Sequence, residues 1–243
     1  MGRARADTGA ALGRLGSGSN LTGNQQTENT VLSISRDAVV AWIEAATAAM
    51  RASKDVLTQL DSAIGDADHG ANMDRGFQAV LVKLPSVADK DIGTIFKTVG
   101  MTLVSTVGGA GGPLYGTFFI QMATTATGKF ELGLADWVAA LEAGVGGVVM
   151  RGKASPGDKT MLDALAPALA GLQAAAAEGA SLPQALERSV QAAEQGMRAT
   201  TPLVARKGRA SYLGERSAGH QDPGATSAHL LLKAAADTWG EAG

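Results

Sequence analysis

The sequence predicts an all-helical protein, and three observations support that prediction. Apolar residues recur at helical spacing in successive segments, as Val39, Trp42, Ile43, Ala46 and Met50 do in the first. No segment shows the period-two alternation typical of a half-buried strand. The composition is 45% hydrophobic but only 4% aromatic, so the core must consist mainly of small and aliphatic side chains, which favour closely packed helices.

About eight helices are predicted, joined by glycine-rich loops. Ser35 suits the N-cap of the first helix and Ser181 that of the seventh, while Pro85 ends the second. Residues 56–60 form only a short amphipathic piece between the first two. The predicted helices span residues 36–54, 70–84, 92–107, 114–127, 134–150, 161–178, 181–204 and 225–239. Such a series predicts an antiparallel bundle or barrel.

Length and composition exclude several classes of function. The 243 residues suffice for one large domain or two small ones, and the net charge of −2 gives no argument for binding nucleic acid. The absence of cysteine excludes disulfides and thiol catalysis. No run of about 18 apolar residues is present, so no transmembrane helix is expected. We therefore expect a cytoplasmic protein that binds neither nucleic acid nor membrane.

The first 33 residues differ in composition from the rest of the chain. They are rich in Gly, Ser, Asn, Thr and Gln and have no lasting apolar periodicity. Arg3, Arg5 and Arg14 are scattered among small residues, but the apolar core of a signal peptide does not follow them. We predict a disordered tail over residues 1–33 and a helical domain over residues 34–243.

Three carboxylates crowd into the stretch before the second predicted helix. Asp61, Asp66 and Asp68 fall within eight residues, and such groups repel one another unless a cation holds them. Ligand sets of oxygen alone favour Mg²⁺ or Ca²⁺. His69 and Asn72 follow where the helix should begin, and a helix N-terminus suits an anion. The stretch predicts a site for a metal ion and a phosphate.

An EF-hand loop does not fit this stretch. Counting from Asp66, Gly70 and Ala71 occupy positions five and six, and Phe77 stands where a Glu is required. Asp and Gly clusters also form ordinary solvated turns, so that alternative stays open for an isolated acidic stretch.

Two further segments have compositions that suit phosphate. Residues 108–112 contain four glycines, which let backbone N–H groups approach an anion closely, although a flexible turn is the alternative. Residues 206–220 carry the cations Arg206, Lys207, Arg209 and Arg216, although a solvated run of charge is again the alternative. In an up-and-down arrangement, alternate connections lie at the same end. We therefore expect the loops between predicted helices one and two, three and four, five and six, and seven and eight to meet at one rim.

Four segments together resemble a known family. Residues 64–73, 108–115, 152–163 and 206–217, followed by 222–224, closely resemble the nucleotide-binding L subunits of dihydroxyacetone kinase. The resemblance extends from about residue 35 to the C-terminus, and the motifs occur in the same order.

The resemblance implies a barrel of eight antiparallel helices with a nucleotide, ADP or ATP, and two Mg²⁺ ions at one rim. It implies that Asp61, Asp66 and Asp68 bind the metal ions. The implied nucleotide contacts are His69, Gly70, Ala71 and Asn72 at the phosphates, Ala110 and Gly111 in the phosphate loop, Gly152 and Met161 near base and ribose, and Arg209, Asp222, Pro223 and Gly224 over the nucleotide. Gly111 departs from the family, which usually has Ser there, and so removes a hydroxyl contact.

The resemblance also implies a reaction. The chain would pass a phosphoryl group from a phosphohistidine carrier subunit, through its bound ADP, to dihydroxyacetone held on a partner K subunit. No residue is assigned as catalytic, and a homodimer is a further expectation. The alternatives are an ATP-dependent kinase component for dihydroxyacetone or another short sugar, and a nucleotide-binding regulator that catalyses nothing.

Overall fold

Helices make up most of the part of the chain that the computed structural model describes, residues 33–240. Nine α-helices occur within it: α1 (Arg36–Ala52), α2 (Lys54–Ile64), α3 (His69–Lys83), α4 (Ile92–Thr106), α5 (Gly111–Ala126), α6 (Leu134–Gly152), α7 (Leu162–Ala177), α8 (Leu182–Ala199) and α9 (Pro223–Gly240). Two short 3-10 helices span Leu84–Ser86 and Arg209–Ser217. The predicted tail, apart from residue 33, lies outside the described residues.

Helix starts follow the capping residues that the sequence offers. The Ser35 hydroxyl accepts a hydrogen bond from the Ala38 N–H at 3.1 Å and begins α1. A capping box begins α8, where the Gln184 side chain accepts from the Ser181 N–H at 3.0 Å. Both predicted N-caps are therefore confirmed.

Three predicted boundaries were wrong. Residues 54–64 form a complete helix rather than a short piece, so the described residues contain nine α-helices rather than about eight. Helix α5 begins at Gly111 instead of residue 114. The N–H groups of a helix's first turn make no intrahelical hydrogen bond, so glycines are tolerated there. Helix α8 ends at Ala199, five residues before the predicted end.

The structure also contains a small sheet, which the sequence did not predict. Strands β1 (Ile34–Ser35) and β2 (Glu131–Leu132) pair antiparallel, with Ile34 opposite Leu132. Two residues are too few to show a period of two, so no sequence pattern could indicate these strands.

The helices pack as a ring of neighbours. Helix α1 contacts α3, each helix from α3 to α8 contacts its successor, and α9 contacts α1. Indole N–H groups join the last pair, since Trp42 donates to the Leu231 carbonyl and Trp239 to the Ala38 carbonyl, each at 3.0 Å. The all-helical class is confirmed, whereas the finer barrel of eight antiparallel helices stays a prediction.

The core combines a few aromatic rings with many small residues. Trp137 packs edge-on against Trp42 and Trp239, with ring centroids 5.5 and 4.9 Å apart. Elsewhere glycine lets helices approach at backbone distance: a Cβ on Gly100 would lie 2.6 Å from the Gly116 carbonyl oxygen, across the α4–α5 contact. The close packing expected from the composition is confirmed. Between residues 33 and 240, no helix has both the length and the apolar character needed to cross a membrane.

Candidate functional site

A cavity of about 530 Å³ lies where the unusual loops meet. Its walls come from residues 61–72 at the junction of α2 and α3, residues 108–115 at the start of α5, residues 148–161 at the end of α6 and in the loop after it, and residues 207–224, which lead into the first turn of α9. These segments are far apart in sequence, so the predicted convergence of the loops at one rim is confirmed.

The three predicted metal ligands stand together in one wall of this cavity. Asp61, Asp66 and Asp68 each offer a carboxylate oxygen, and these oxygens lie within 4.8 Å of one another. Asp61 is buried in the last turn of α2, Asp66 is exposed and Asp68 is half-buried. A set of oxygen donors with like charges this close fits a hard divalent cation such as Mg²⁺.

Asp61 is held rigidly by its surroundings. One carboxylate oxygen, Oδ2, accepts hydrogen bonds from the backbone N–H groups of Asp68 at 2.8 Å and His69 at 3.1 Å, which caps α3. Gly65 packs directly against the same carboxylate, because a Cβ there would lie 2.0 Å from Oδ1. Ala67, between the other two acids, has a φ of +60°, a conformation that costs a non-glycine residue about 1–3 kcal/mol and is concentrated at functional sites.

Asn72 presents hydrogen-bond donors to the cavity. The Arg75 guanidinium donates to the Asn72 side-chain oxygen at 2.6 Å and to the Thr106 carbonyl at 3.0 Å. Because arginine can only donate, the oxygen of the Asn72 amide must face Arg75. The NH₂ group is therefore what Asn72 offers to an acceptor in the cavity.

The glycine-rich segment forms a second wall that suits an anion. Helix α5 begins here at Gly111, and its N-cap residue, Ala110, provides no side-chain hydrogen bond to the first turn. Gly109 has a φ of +61°, and a Cβ on Gly112 would lie 2.4 Å from the Val107 carbonyl oxygen. The uncapped N–H groups of this first turn give a site for a phosphate oxygen.

Asp222 anchors the wall that leads into α9. Its buried carboxylate accepts from the Ala225 N–H at 2.7 Å, and its own N–H donates to the Thr200 hydroxyl at 3.0 Å. Burial raises the pKa of the Asp222 carboxyl to about 7. The adjacent Pro223 and Gly224 also line the cavity, and a Cβ on Gly224 would lie 3.3 Å from the Met161 nitrogen.

A hydrogen-bonded trio ties three helices together at the cavity wall. The Ser227 hydroxyl of α9 lies 2.9 Å from His69 Nε2 of α3 and 2.7 Å from the Tyr115 hydroxyl of α5. Burial lowers the pKa of His69 and raises that of Tyr115, so both are favoured in their neutral forms. Ser227 carries no motif, and its role is visible only from the fold.

Most predicted nucleotide contacts line the cavity, but two do not. The lining includes His69, Asn72, Ala110, Gly111, Gly152, Met161, Arg209, Asp222, Pro223 and Gly224. Gly70 and Ala71 are not part of it. Gly70 instead packs against α2, where a Cβ would lie 2.0 Å from the Lys54 carbonyl oxygen. The close contact between α2 and α3 explains why position 70 is a glycine.

The four predicted cations divide into two groups. Lys207 and Arg209 line the cavity, whereas Arg206 and Arg216 are exposed outside it. The Arg209 guanidinium lies 3.0 Å from the Asp66 carboxylate and so spans the cavity wall. A cation at this position can meet a phosphate oxygen if Asp66 is engaged by a metal ion.

Sequence reasoning missed Lys159, which lines the cavity and is only 1% exposed. Burial lowers the pKa of its ammonium group. Its hydrogen-bond partners are backbone carbonyls more than forty residues away in the chain, so no local pattern could have indicated them.

Fold and cavity together define an all-helical protein with a pocket whose carboxylates suit divalent metal and whose helix N-termini suit phosphate. A family model described as the DAK2 domain matches residues 63–237. The ADP-binding subunit DhaL of the PEP-dependent dihydroxyacetone kinase of Escherichia coli is 49% identical over 202 residues, which cover 83% of this chain and 96% of that subunit. The chain therefore belongs to the DAK2-domain family.

More distant relatives contain this domain within longer chains. Human triokinase/FMN cyclase is 37% identical over 181 residues, which cover 73% of this chain but 31% of the human protein. The crystal structure of the dihydroxyacetone kinase from C. freundii in complex with AMP-PNP and Mg²⁺ matches with a TM-score of 0.63 and 26% identity. That match covers 96% of this chain and 38% of the kinase chain.

Proposed function

We propose that this chain is the ADP-binding phosphotransferase subunit of a dihydroxyacetone kinase that uses a phosphorylated carrier protein as donor. The observation that supports this proposal is the juxtaposition in one cavity of the cluster Asp61, Asp66 and Asp68 with the uncapped first turn of α5. A cavity that has both a carboxylate cluster and N–H donors suits a metal-bound phosphate better than it suits a metal ion alone or a phosphate alone.

Different residues of the cavity would hold the metal ions, the phosphates, and the base and ribose of Mg-ADP. Asp61, Asp66 and Asp68 would hold two Mg²⁺ ions, which neutralise phosphate oxygens and help to align donor and acceptor. The Asn72 amide and the N–H groups at Gly111 would bind phosphate oxygens. Arg209 would leave Asp66 for the nucleotide once metal engages that carboxylate. Gly152 and Met161 would lie near the base and ribose, and residues 222–224 would close over the nucleotide.

Acceptor and donor would come from partner proteins. Phosphoryl transfer needs little covalent chemistry from the enzyme, and we assign no general base to this chain. A K subunit would hold dihydroxyacetone, and a phosphohistidine carrier would rephosphorylate the bound ADP in place. The match to almost the whole length of the Escherichia coli PEP-dependent subunit supports this division. We further propose residues 34–243 as the nucleotide-binding domain, residues 1–33 as a dispensable tail, a cytoplasmic location and a homodimer.

A second candidate is an ATP-dependent kinase component. The similar C. freundii kinase structure contains AMP-PNP and Mg²⁺, and human triokinase/FMN cyclase shares the domain. In that case ATP itself would enter the cavity and ADP would leave in each cycle, so nucleotide exchange would have to be fast.

Reconstitution separates the two candidates. The purified chain would be combined with a K subunit, dihydroxyacetone and Mg²⁺, and dihydroxyacetone phosphate would be followed with ATP or with a phosphoenolpyruvate-fed carrier as donor. The proposal expects sustained turnover with the carrier on substoichiometric ADP. Sustained turnover on ATP alone, with fast ADP release, would establish the second candidate instead.

A matched pair of variants links this turnover to the site. Asp68→Ala removes a cluster carboxylate, whereas Glu142→Ala removes an exposed carboxylate in the middle of α6. Turnover should disappear in the first and persist in the second. Equal activity of both variants would show that the cluster is not where the metal binds.

A further inference from the structure

The segment between α8 and α9 closes one side of the cavity with little apolar support. It contributes Lys207, Gly208, Arg209 and Ala210 to the lining. Its buried apolar contacts are a small cluster of Ile64, Ala205 and Ala210, with Leu213 packed beside them. The buried members that the segment itself contributes to this cluster are two alanines, whose small side chains give little stabilisation, so polar contacts must help to fix the segment.

The ammonium group of Lys159 makes several polar contacts to this segment. Its Nζ donates to the carbonyl oxygens of Ser217 at 2.7 Å and Leu203 at 3.0 Å, to that of His220 at 2.5 Å, and at 3.4 Å to that of Thr201. An ammonium has three N–H donors, and four carbonyls already surround it. Lys159 therefore has no donor left for a phosphate, although it lines the cavity.

The sequence positions of these carbonyls show which part of the segment the Lys159 ammonium holds in place. Leu203 and Ser217 lie on either side of Arg209 in sequence, and the carbonyl oxygens of both accept hydrogen bonds from the same nitrogen. The two ends of the loop that carries Arg209 are thus fixed at one point. Loop ends held together in this way restrict the conformations open to the residues between them.

We propose that Lys159 is a positioning residue that holds the Arg209 loop closed over the nucleotide. The assignment to a nucleotide rests on the proposed function. Lys159 acts through Arg209, whose guanidinium reaches the Asp66 carboxylate at 3.0 Å, and not by contact with the ligand.

The backbone around Lys159 supports a specific role for this side chain. Lys159 has a φ of +62°, a left-handed conformation that disfavours a non-glycine residue. Glycine would relieve that strain but would supply no ammonium. The preceding residue adds a second tie to the same segment, because the Asp158 carbonyl accepts from the Arg206 N–H at 3.0 Å.

The test compares two lysines that share this backbone conformation. Lys159→Met removes the buried ammonium, and Lys153→Met removes a lysine at a φ of +48° that is exposed and does not line the cavity. Dissociation of fluorescent Mg-ADP is measured by stopped flow. Loss of charge-assisted hydrogen bonds should speed release by about 10-fold or more in Lys159→Met, with no change in Lys153→Met.

A double-mutant cycle distinguishes positioning from general destabilisation. If Lys159 acts through Arg209, the Arg209→Ala substitution speeds release strongly in the unaltered chain but adds little in the Lys159→Met background. If the two effects on the release rate simply multiply, Lys159 does not act through Arg209 and the proposal is overturned.

A second variant and a second measurement keep the proposal testable. If Lys159→Met does not fold, Lys159→Gly replaces it, because glycine accepts the positive φ.

Tryptic cleavage at Arg206, Lys207 and Arg209 needs no nucleotide, so it reports on the loop even if the chain does not bind Mg-ADP. Faster cleavage there in the Lys159 variant supports the proposal, and unchanged cleavage contradicts it. Failure of the unaltered chain to bind Mg-ADP would contradict the proposed function alone.

Discussion

Replacing Gly65 by alanine should displace the Asp61 carboxylate. The new Cβ would lie 2.0 Å from Asp61 Oδ1 and 2.8 Å from its Cγ. An acceptable contact between carbon and oxygen is about 3.3 Å, so the carboxylate must move by about 1 Å or more. Asp61 cannot move that far and keep both hydrogen bonds to the N–H groups of Asp68 and His69.

The size of the effect follows from those two hydrogen bonds. A hydrogen bond to a charged acceptor contributes about 1.5–3 kcal/mol, and partial relaxation will recover some of the loss. We therefore expect the free energy of unfolding to fall by about 2–4 kcal/mol, which lowers the Tm of a domain this size by about 5–15 °C. Mg-ADP affinity should fall by about 10-fold or more, because each 1.4 kcal/mol is tenfold.

The matched control is Gly146→Ala. Gly146 is exposed within α6, and an added Cβ would meet nothing within 4 Å. The same substitution there should raise the free energy of unfolding by up to about 1 kcal/mol, since alanine favours a helix interior. Thermal unfolding gives both Tm values, and titration calorimetry gives both affinities. If Gly65→Ala matches Gly146→Ala in both measurements, Gly65 does not position Asp61, and the close contact between them has no role in metal binding.

Four further predictions concern the site and the N-terminal segment. Asp68→Ala should abolish Mg-dependent ADP binding in calorimetry while far-ultraviolet circular dichroism stays unchanged. A chain that begins at residue 33 should melt within a few degrees of full length, and a large loss of Tm would show that the tail is structural. Gly111→Ser should tighten Mg-ADP binding by adding a hydroxyl contact, and its Cβ has room beside the Val107 side chain at 3.2 Å and the Met73 sulfur at 4.0 Å; weaker binding would refute a missing hydroxyl contact. Asp222 has a raised pKa of about 7, so the folded state favours its protonated form and stability falls as pH rises from about 4 to 7. Asp222→Asn should reduce that slope in urea titrations without Mg²⁺.

Periodicity predicted the elements whose apolar stripe is uninterrupted and failed where a functional residue occupies the stripe. The buried positions of α2 are Leu57, Asp61 and Ile64, at the spacing of a helix face. A carboxylate takes the central position, so the pattern appeared to stop before it. Asp61, which belongs to the candidate metal site, therefore interrupted the apolar pattern that would have predicted the whole of α2.

The candidate site could be predicted from sequence where its residues are adjacent in the chain. The three carboxylates and the glycine-rich segment form local motifs, and the structure places both in one cavity. Gly70 shows the limit of that reasoning, because its motif suggested a ligand contact whereas its glycine is required by packing on α2. Lys159 and Ser227 act through partners distant in sequence, which only the fold brings together.

The proposed function requires that Asp61, Asp66 and Asp68 hold the metal ions of a bound Mg-ADP. A crystal structure of the chain with ADP and Mg²⁺ tests this most directly. We expect two Mg²⁺ ions with carboxylate oxygens of these residues at about 2.0–2.1 Å, and phosphates against the first turn of α5. Nucleotide bound elsewhere, or Mg²⁺ without any contact to these three carboxylates, would contradict it.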